Sequence, residues 1–118
     1  MTRRVKVQWT RPARDALAKL PPEVRRTILD KTAALANCDP TAVHKRLAGP
    51  LWNYYSIKVT RYRAIYCVDE ETLANGDVLI FVRVVVVAVG IRKKGDRRDI
   101  YRLAEKLIRL ADLDAGDE

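Results

Sequence analysis

The chain has 118 residues, the size of one domain, and 48% of them are apolar, which excludes a second catalytic module and a largely disordered chain. With 23 Lys and Arg against 15 Asp and Glu, the net charge is +8, and the first partner to expect is an anion, above all nucleic acid. The excess lies in residues 1–67, which hold 14 basic and 4 acidic side chains. We recognise neither a signal peptide nor an apolar run of about 20 residues, so we expect a cytoplasmic protein without a membrane partner.

The chain opens with a pattern typical of a strand followed by a helix. Val5, Val7 and Trp9 alternate with polar residues, which is the period of a half-buried strand. Thr10 is a suitable helix N-cap, and the apolar residues between Ala13 and Leu20 lie three and four positions apart. These spacings predict a short amphipathic helix.

A second helix is predicted after the corner Pro21-Pro22, with an apolar stripe from Val24 to Ala36. Two helices joined by so short a corner should form a hairpin. Residues Asn37, Asp39 and Pro40 then end the helical pattern, and we expect a loop through residues 45–50.

The second half of the chain predicts three strands and a helix. Residues 54–60 alternate, with Tyr55, Ile57 and Val59 on one face, and residues 62–68 form a second β-rich run. Asn75-Gly76 is a turn signal. The run from Val78 to Val89 is almost continuously apolar, as in a strand covered on both faces, and helical spacing resumes over residues 98–110.

The predicted order is therefore β-α-α-β-β-β-α. Such an order favours a small α+β domain, with an antiparallel-rich sheet packed on an N-terminal helical hairpin. We expect residues 1–118 to form a single domain that ends in a short acidic tail from about residue 111.

Few groups for metal or acid–base chemistry are present. Cys38 and Cys67 lack metal-ligand spacing and are expected to be small buried residues, and His44 is expected at the surface. Phosphate-binding Gly-rich loops, nucleophile elbows and zinc-protease motifs are missing from the sequence. We therefore expect neither a metal nor a cofactor.

The remaining candidates are cationic and phenolic, and they lie at strand ends or just beyond them: Lys58, Arg63, Arg92 and Tyr101. Side chains displayed at the end of a rigid strand are well suited to function. A sheet face that is merely solvated is the other interpretation of such charges.

Five short runs resemble the RelE/ParE superfamily of type II toxin–antitoxin toxins, and the similarity extends over about residues 5–108. They are Leu47-Ala48-Gly49, Tyr55-Ser56-Ile57-Lys58-Val59, Tyr62-Arg63-Ala64-Ile65-Tyr66, Val87-Ala88-Val89-Gly90-Ile91-Arg92 and Asp99-Ile100-Tyr101-Arg102. The resemblance implies a RelE-like fold and a cognate antitoxin as partner. Its RelE branch implies a ribosome-dependent endoribonuclease that cuts mRNA, and its ParE branch implies a DNA gyrase poison.

Carried over residue by residue, the resemblance gives Lys58, Arg63, Arg92 and Tyr101 catalytic roles and favours the RelE branch, with the ribosome and mRNA as further partners. Ser56 departs from the RelE pattern, which has lysine there, and residues 93–100 form a longer segment than in that pattern. A noncatalytic binding module of the same fold therefore stays open beside the gyrase poison.

Cleavage of RNA requires that the 2′-OH lose its proton, that charge on the phosphorus centre be stabilised, and that the 5′ oxygen be neutralised. We hypothesise that Arg63 and Arg92 bind the scissile phosphate, that Lys58 assists the 2′-OH, and that Tyr101 orients a base. A lysine acting as base needs a strongly lowered pKa, and otherwise it acts electrostatically. Five further basic residues are expected to bind RNA: Lys45, Arg46, Arg61, Lys93 and Lys94.

Overall fold

The computed structural model describes the backbone of residues 2–75, 77–93 and 99–116, and the side chains of residues 5–69, 85–93 and 99–109. The strands are β1 (Thr2–Trp9), β2 (Lys45–Arg46), β3 (Tyr54–Val59), β4 (Tyr62–Asn75) and β5 (Asp77–Ile91). The helices are α1 (Arg11–Ala18), α2 (Pro22–Ala34) and α3 (Ile100–Gly116), with 3₁₀ turns at Leu35–Asn37 and Gly49–Leu51. Among the described residues, no helix combines the length and apolarity that crossing a membrane requires.

The strands form one mixed sheet in the order β1-β5-β4-β3-β2. β1 runs parallel to β5, and the other neighbouring pairs are antiparallel. The α+β class, the antiparallel-rich sheet and the order of the predicted elements are confirmed. The strand predicted over residues 62–68 is longer than expected, because β4 continues to Asn75. The loop predicted through Lys45 and Arg46 is wrong at these two residues, because they form β2 and pair with Ser56 and Tyr55 of β3. Pairing there provides partners for backbone groups along the edge of β3.

The helical hairpin covers one face of the sheet. Thr10 caps α1 as predicted, because its hydroxyl oxygen accepts from the Ala13 N–H at 3.3 Å. The same hydroxyl donates to the Val87 carbonyl at 3.2 Å and so ties the start of α1 to β5. The hairpin-side core consists of Ala13, Leu17, Ile28 and Leu35 from the helical region, packed on Tyr55, Ile57, Val59, Tyr62, Ala64, Tyr66, Val86 and Val89 from the sheet.

The third helix covers the opposite face. The α3-side core consists of Leu47, Leu51, Ile65, Ala88, Ile100 and Ala104. β5 is thus covered on both faces around residues 86–89, as its apolar sequence predicted. The helix begins at Ile100 and continues to Gly116, whereas residues 98–110 were expected. Its longer extent includes Ala111, Leu113 and Ala115, which are compatible with a helix.

A β-bulge determines which face the end of β5 presents. Ile65 pairs with Ala88 and Tyr66 pairs with Val86, so Val87 is an extra residue on β5. Side chains alternate along a strand, and an extra residue reverses the faces beyond it. Val86 lies in the hairpin-side core and Ala88 in the α3-side core, although they are two positions apart. Arg92 consequently follows Ala88 onto the α3 side.

Three tyrosines of β3 and β4, Tyr55, Tyr62 and Tyr66, pack in the hairpin-side core. Tyr66 is fully buried and stacks on Tyr55 with ring centroids 5.3 Å apart. The Tyr66 hydroxyl is satisfied inside the protein, because its O–H donates to the buried Pro40 carbonyl at 2.6 Å. Burial raises the pKa of the Tyr66 phenol.

Two predictions about burial need correction. His44 is half-buried and lies edge-on against Tyr66, with ring centroids 6.0 Å apart. The pKa of His44 is lowered, mainly by burial and to a lesser extent by the positive charge of Lys31. Cys38 and Cys67 are not joined in a disulfide and are only partly buried. Trp52 is 58% exposed, because it lies in the turn before β3 rather than in the sheet.

Candidate functional site

A cavity of about 270 Å³ opens on the α3 side of the sheet, between the ends of the strands and the first turn of α3. Its lining residues are Lys45, Ser56, Lys58, Arg63, Arg92 and Tyr101. The structure thus brings together the four residues predicted to be catalytic, with one of the predicted RNA-binding lysines. Among the described residues that line it, four are cations and none is acidic.

The sheet register explains this convergence. Lys58 of β3 lies directly opposite Arg63 of β4, and Arg63 lies opposite Gly90 of β5, two positions before Arg92. Lys45 of β2 lies opposite Ser56. Like charges directly opposite each other destabilise a sheet, and the Lys58–Arg63 pair has this arrangement. A bound anion would relieve their repulsion, so the register favours an anion site.

Arg63 is held by the two-residue turn between β3 and β4. Its Nη1 donates to the carbonyls of Thr60 and Tyr62, each at 2.9 Å. Thr60 has φ of +53°, in the left-handed region that β-branched residues rarely adopt. The turn therefore orients the half-buried arginine by means of a strained backbone.

Arg92 is fixed from three directions. Its backbone N–H donates to the Arg61 carbonyl at 2.8 Å, and its Nη1 pairs with a carboxylate oxygen of Asp99. Its guanidinium carbon lies 4.1 Å from the ring centroid of Tyr101, a cation–π contact. The Arg92 side chain is 28% exposed, whereas that of Asp99 is 2% exposed.

Tyr101 connects this arginine to the sheet. The Tyr101 hydroxyl donates to Ser56 Oγ at 3.1 Å, and its backbone N–H donates to Asp99 Oδ2, also at 3.1 Å. Ser56 is buried, with 4% exposure. The serine that departs from the RelE pattern is thus a hydrogen-bond partner of a candidate catalytic tyrosine.

Gly90 allows α3 to approach the sheet beside the cavity. A Cβ built on Gly90 would lie 3.0 Å from Cδ1 of Ile100, closer than ordinary van der Waals contact. Ile100 is the first residue of α3, so the missing side chain at Gly90 lets the start of this helix, and Tyr101 with it, pack close to β5.

The other described residues predicted to bind RNA do not line this cavity, and Arg46 lines a separate one with Thr41 and Tyr55. Arg46 is exposed, donates from Nε to the Trp52 carbonyl at 2.8 Å, and lies 5.6 Å from the Trp52 ring centroid. Arg61 is exposed in the turn, with its guanidinium over the Tyr62 ring at 5.7 Å. Lys93 is exposed directly after Arg92, and Lys94 lies outside the described residues.

Asp99 is the residue near the site that the sequence analysis missed. A signal was available, because an aspartate directly before an apolar-periodic run is typical of a helix N-cap. A helix predicted from residue 98 places Asp99 inside it and so hides the cap. The contact of Asp99 with Arg92, in contrast, depends on the close approach of α3 to the end of β5.

The comparison with solved structures agrees with this fold. Neither a scan against protein-family models nor a search of curated proteins finds a match. Among solved structures, the chain is similar to one in the crystal structure of the toxin–antitoxin complex RelBE2 from Mycobacterium tuberculosis. The TM-score is 0.50 and the identity 26%, and the match covers 69% of this chain and 95% of that one.

The fold and this comparison together indicate the class of protein. The chain has a RelE-like fold, and its resemblance to the RelE/ParE superfamily of toxins is confirmed.

Proposed function

We propose that this protein is the toxin of a type II toxin–antitoxin system and that it cleaves mRNA on the ribosome as an endoribonuclease. The observation that supports this most is the cavity itself, in which Lys58, Arg63, Arg92 and Tyr101 line one space of about 270 Å³. The similarity to a chain of a toxin–antitoxin complex supports the toxin role.

The reaction would be an attack of the 2′ oxygen of RNA on the adjacent phosphorus. A P–O2′ bond forms and the P–O5′ bond breaks, so the 2′-OH loses one proton to water and the departing 5′ oxygen gains one proton from water. The phosphorus centre becomes more negative in between. Cations fixed beforehand around this centre stabilise the transition state without reorganising.

The cavity provides such cations on neighbouring elements. Arg63 and Arg92 would bind the phosphate oxygens, with Arg92 nearest the departing oxygen. Lys58 is exposed on the same face, opposite Arg63, and would stabilise the forming 2′ oxyanion electrostatically. Tyr101 would orient the nucleotide by its ring or its hydroxyl.

Arginine and tyrosine are weak proton-transfer groups near neutral pH, so positioning has to supply much of the rate. A ribosome that holds the mRNA in a reactive geometry provides this contribution. Dependence on the ribosome is thus consistent with the residues of the cavity, and it implies action in the cytoplasm. A cognate antitoxin that covers the cavity with acidic side chains would neutralise the toxin by blocking the phosphate site.

The test is inducible expression in a bacterium with mapping of the 5′ ends of cellular RNA. Wild-type protein should arrest growth and produce cuts within translated codons. The Arg92→Ala variant should reduce cleavage at least about 100-fold, the usual effect of removing one transition-state donor. Arg11→Ala, at an exposed position at the start of α1, is the matched control and should cut normally.

Other outcomes would contradict the proposal. Arrest without RNA cuts but with a DNA-damage response would indicate a gyrase poison. Neither arrest nor cuts would indicate a noncatalytic binding module. Cuts by a folded Arg92→Ala variant at the wild-type rate would remove Arg92 from the mechanism.

A further inference from the structure

A buried carboxylate lies directly behind the cavity. Asp99 is 1% exposed, and its side chain accepts three hydrogen bonds. The donors are Nη1 of Arg92, the Lys93 N–H at 2.5 Å and the Tyr101 N–H at 3.1 Å. The Asp99 carbonyl accepts from the Leu103 N–H at 3.0 Å, which is the first turn of α3. Asp99 is therefore the N-cap of α3 as well as the ion-pair partner of Arg92.

The role of Asp99 as helix cap does not explain why this residue is negatively charged. Serine, threonine and asparagine cap helices about as well as aspartate does. A carboxylate removed from water is costly unless an opposite charge compensates it. In the described residues, the cation that contacts Asp99 by its side chain is Arg92. The negative charge at this position thus acts mainly on the Arg92 guanidinium.

An arginine beyond the end of a strand has several rotatable bonds and would otherwise be mobile. The Asp99 carboxylate holds one edge of the guanidinium, and the Tyr101 ring lies against its face at 4.1 Å. The Tyr101 ring is in turn held by Ser56, while the Tyr101 backbone is held by Asp99. This series of contacts, from Ser56 through Tyr101 and Arg92 to Asp99, connects β3, α3 and the end of β5.

We infer that Asp99 is a positioning residue, which fixes the Arg92 guanidinium against the Tyr101 ring so that Arg92 lines the cavity in one orientation. The effect of Asp99 on cleavage rests on the proposed function. The effect of Asp99 on the conformation of Arg92 does not. Ser56 supports the same arrangement from the other side of the cavity, because it fixes the ring on which the guanidinium lies.

Asp99→Asn separates the charge from the cap, because asparagine retains an acceptor oxygen and nearly the same shape. Asp30→Asn, on an exposed position of α2, is the matched control for the loss of one carboxylate. The first measurement is NMR of arginine side chains in the ¹⁵N-labelled protein. In the wild type, the Arg92 Nε–H signal should be shifted by the ring current of Tyr101 and exchange slowly with water. In Asp99→Asn it should move to the position of exposed arginines.

The second measurement is cleavage of ribosome-bound mRNA. Asp99→Asn should lower kcat at least tenfold and change KM less than twofold, because the phosphate is still attracted but its arginine is misplaced. The melting temperature should stay close to that of the wild type, since the cap is kept. If Asp99→Asn melts early, Asp99→Ser provides a second capping residue without charge, and the same changes are expected in it.

The outcomes separate the two proposals. An Arg92 signal unchanged in Asp99→Asn would overturn the positioning role, whether or not the wild type cuts RNA. A shifted signal with an undiminished kcat would overturn the consequence for cleavage, since the orientation of Arg92 would then not limit the reaction. If the wild type cuts no RNA but the Arg92 signal is lost in the variant, Asp99 positions Arg92 as inferred and the proposed nuclease function fails.

Discussion

At the scale of single residues, charge and hydrogen bonding define the site more than shape does. Lys58 and Arg63 are like charges directly opposite each other in the sheet, and Arg92 is compensated by Asp99 from behind. The side that faces the cavity therefore stays positive, while the buried side is neutralised. Such an arrangement favours a phosphate in the cavity over a neutral ligand.

Tyr66 permits a test of the hairpin-side core that does not involve the cavity. Its hydroxyl donates to the Pro40 carbonyl at 2.6 Å, and both residues are buried. Tyr66→Phe leaves that carbonyl without its partner, so we expect the free energy of unfolding to fall by about 1–3 kcal/mol. Urea denaturation followed by circular dichroism measures the change.

Tyr55→Phe is the control for this substitution. The Tyr55 ring stacks on Tyr66, and its hydroxyl has no hydrogen bond in the part of the chain that the structure describes. Its stability should stay within about 0.5 kcal/mol of the wild type. Equal losses in both variants would show that the Pro40 bond contributes nothing specific.

At the scale of elements, the turn between β3 and β4 and the bulge in β5 place the two arginines. The turn holds Arg63 through the carbonyls of Thr60 and Tyr62. The extra residue Val87 moves Arg92 to the α3 side. Both devices are irregularities of the sheet, and both act on the orientation of a functional side chain rather than on the apolar core.

Thr60 shows the cost of this geometry. A β-branched residue at φ of +53° is strained, whereas asparagine adopts the left-handed region more readily. We expect Thr60→Asn to raise the free energy of unfolding by about 1 kcal/mol. Thr60→Val keeps the branch and should give no gain. The urea midpoints of the two variants decide, and equal midpoints would mean that the strain is absent.

At the scale of the whole molecule, the positive charge is concentrated in the first 67 residues, and strands β2, β3 and β4 bring three of these cations to the cavity. The α3 side of the sheet thus presents a charged site while the hairpin side is covered by helices. Long-range attraction should bring RNA to the molecule, and the local cations should determine where its phosphates bind.

This division predicts the salt dependence of RNA binding. Each phosphate contact to a single strand contributes about −0.7 to the slope of log K against log salt concentration. With a 2′-O-methyl RNA that cannot be cleaved, Arg63→Ala should make the slope less steep by about 0.7. Fluorescence anisotropy at several salt concentrations measures it. Arg11→Ala should leave the slope unchanged, and an equal effect of both variants would indicate diffuse attraction without a phosphate site.

Local patterns were sufficient for the order of the elements and for the faces of β3. The alternation of Tyr55, Ile57 and Val59 correctly placed Ser56 and Lys58 on the opposite face, because side chains in a strand alternate strictly. The cap at Thr10 was also correct. The two-residue strand β2 was missed, because so short a segment has no period and is defined only by its pairing with β3.

The amino-acid sequence alone established the α+β class and the excess of positive charge, which depend on composition and local spacing. It also singled out Lys58, Arg63, Arg92 and Tyr101, through their places at strand ends and the resemblance to the RelE/ParE superfamily. Tertiary packing is what places Arg92 on the α3 side and sets Asp99 behind it. The physical reason is that a bulge reverses the faces of β5 and that Gly90 lets α3 approach the sheet. Periodicity along the chain encodes neither the bulge nor the approach of the helix.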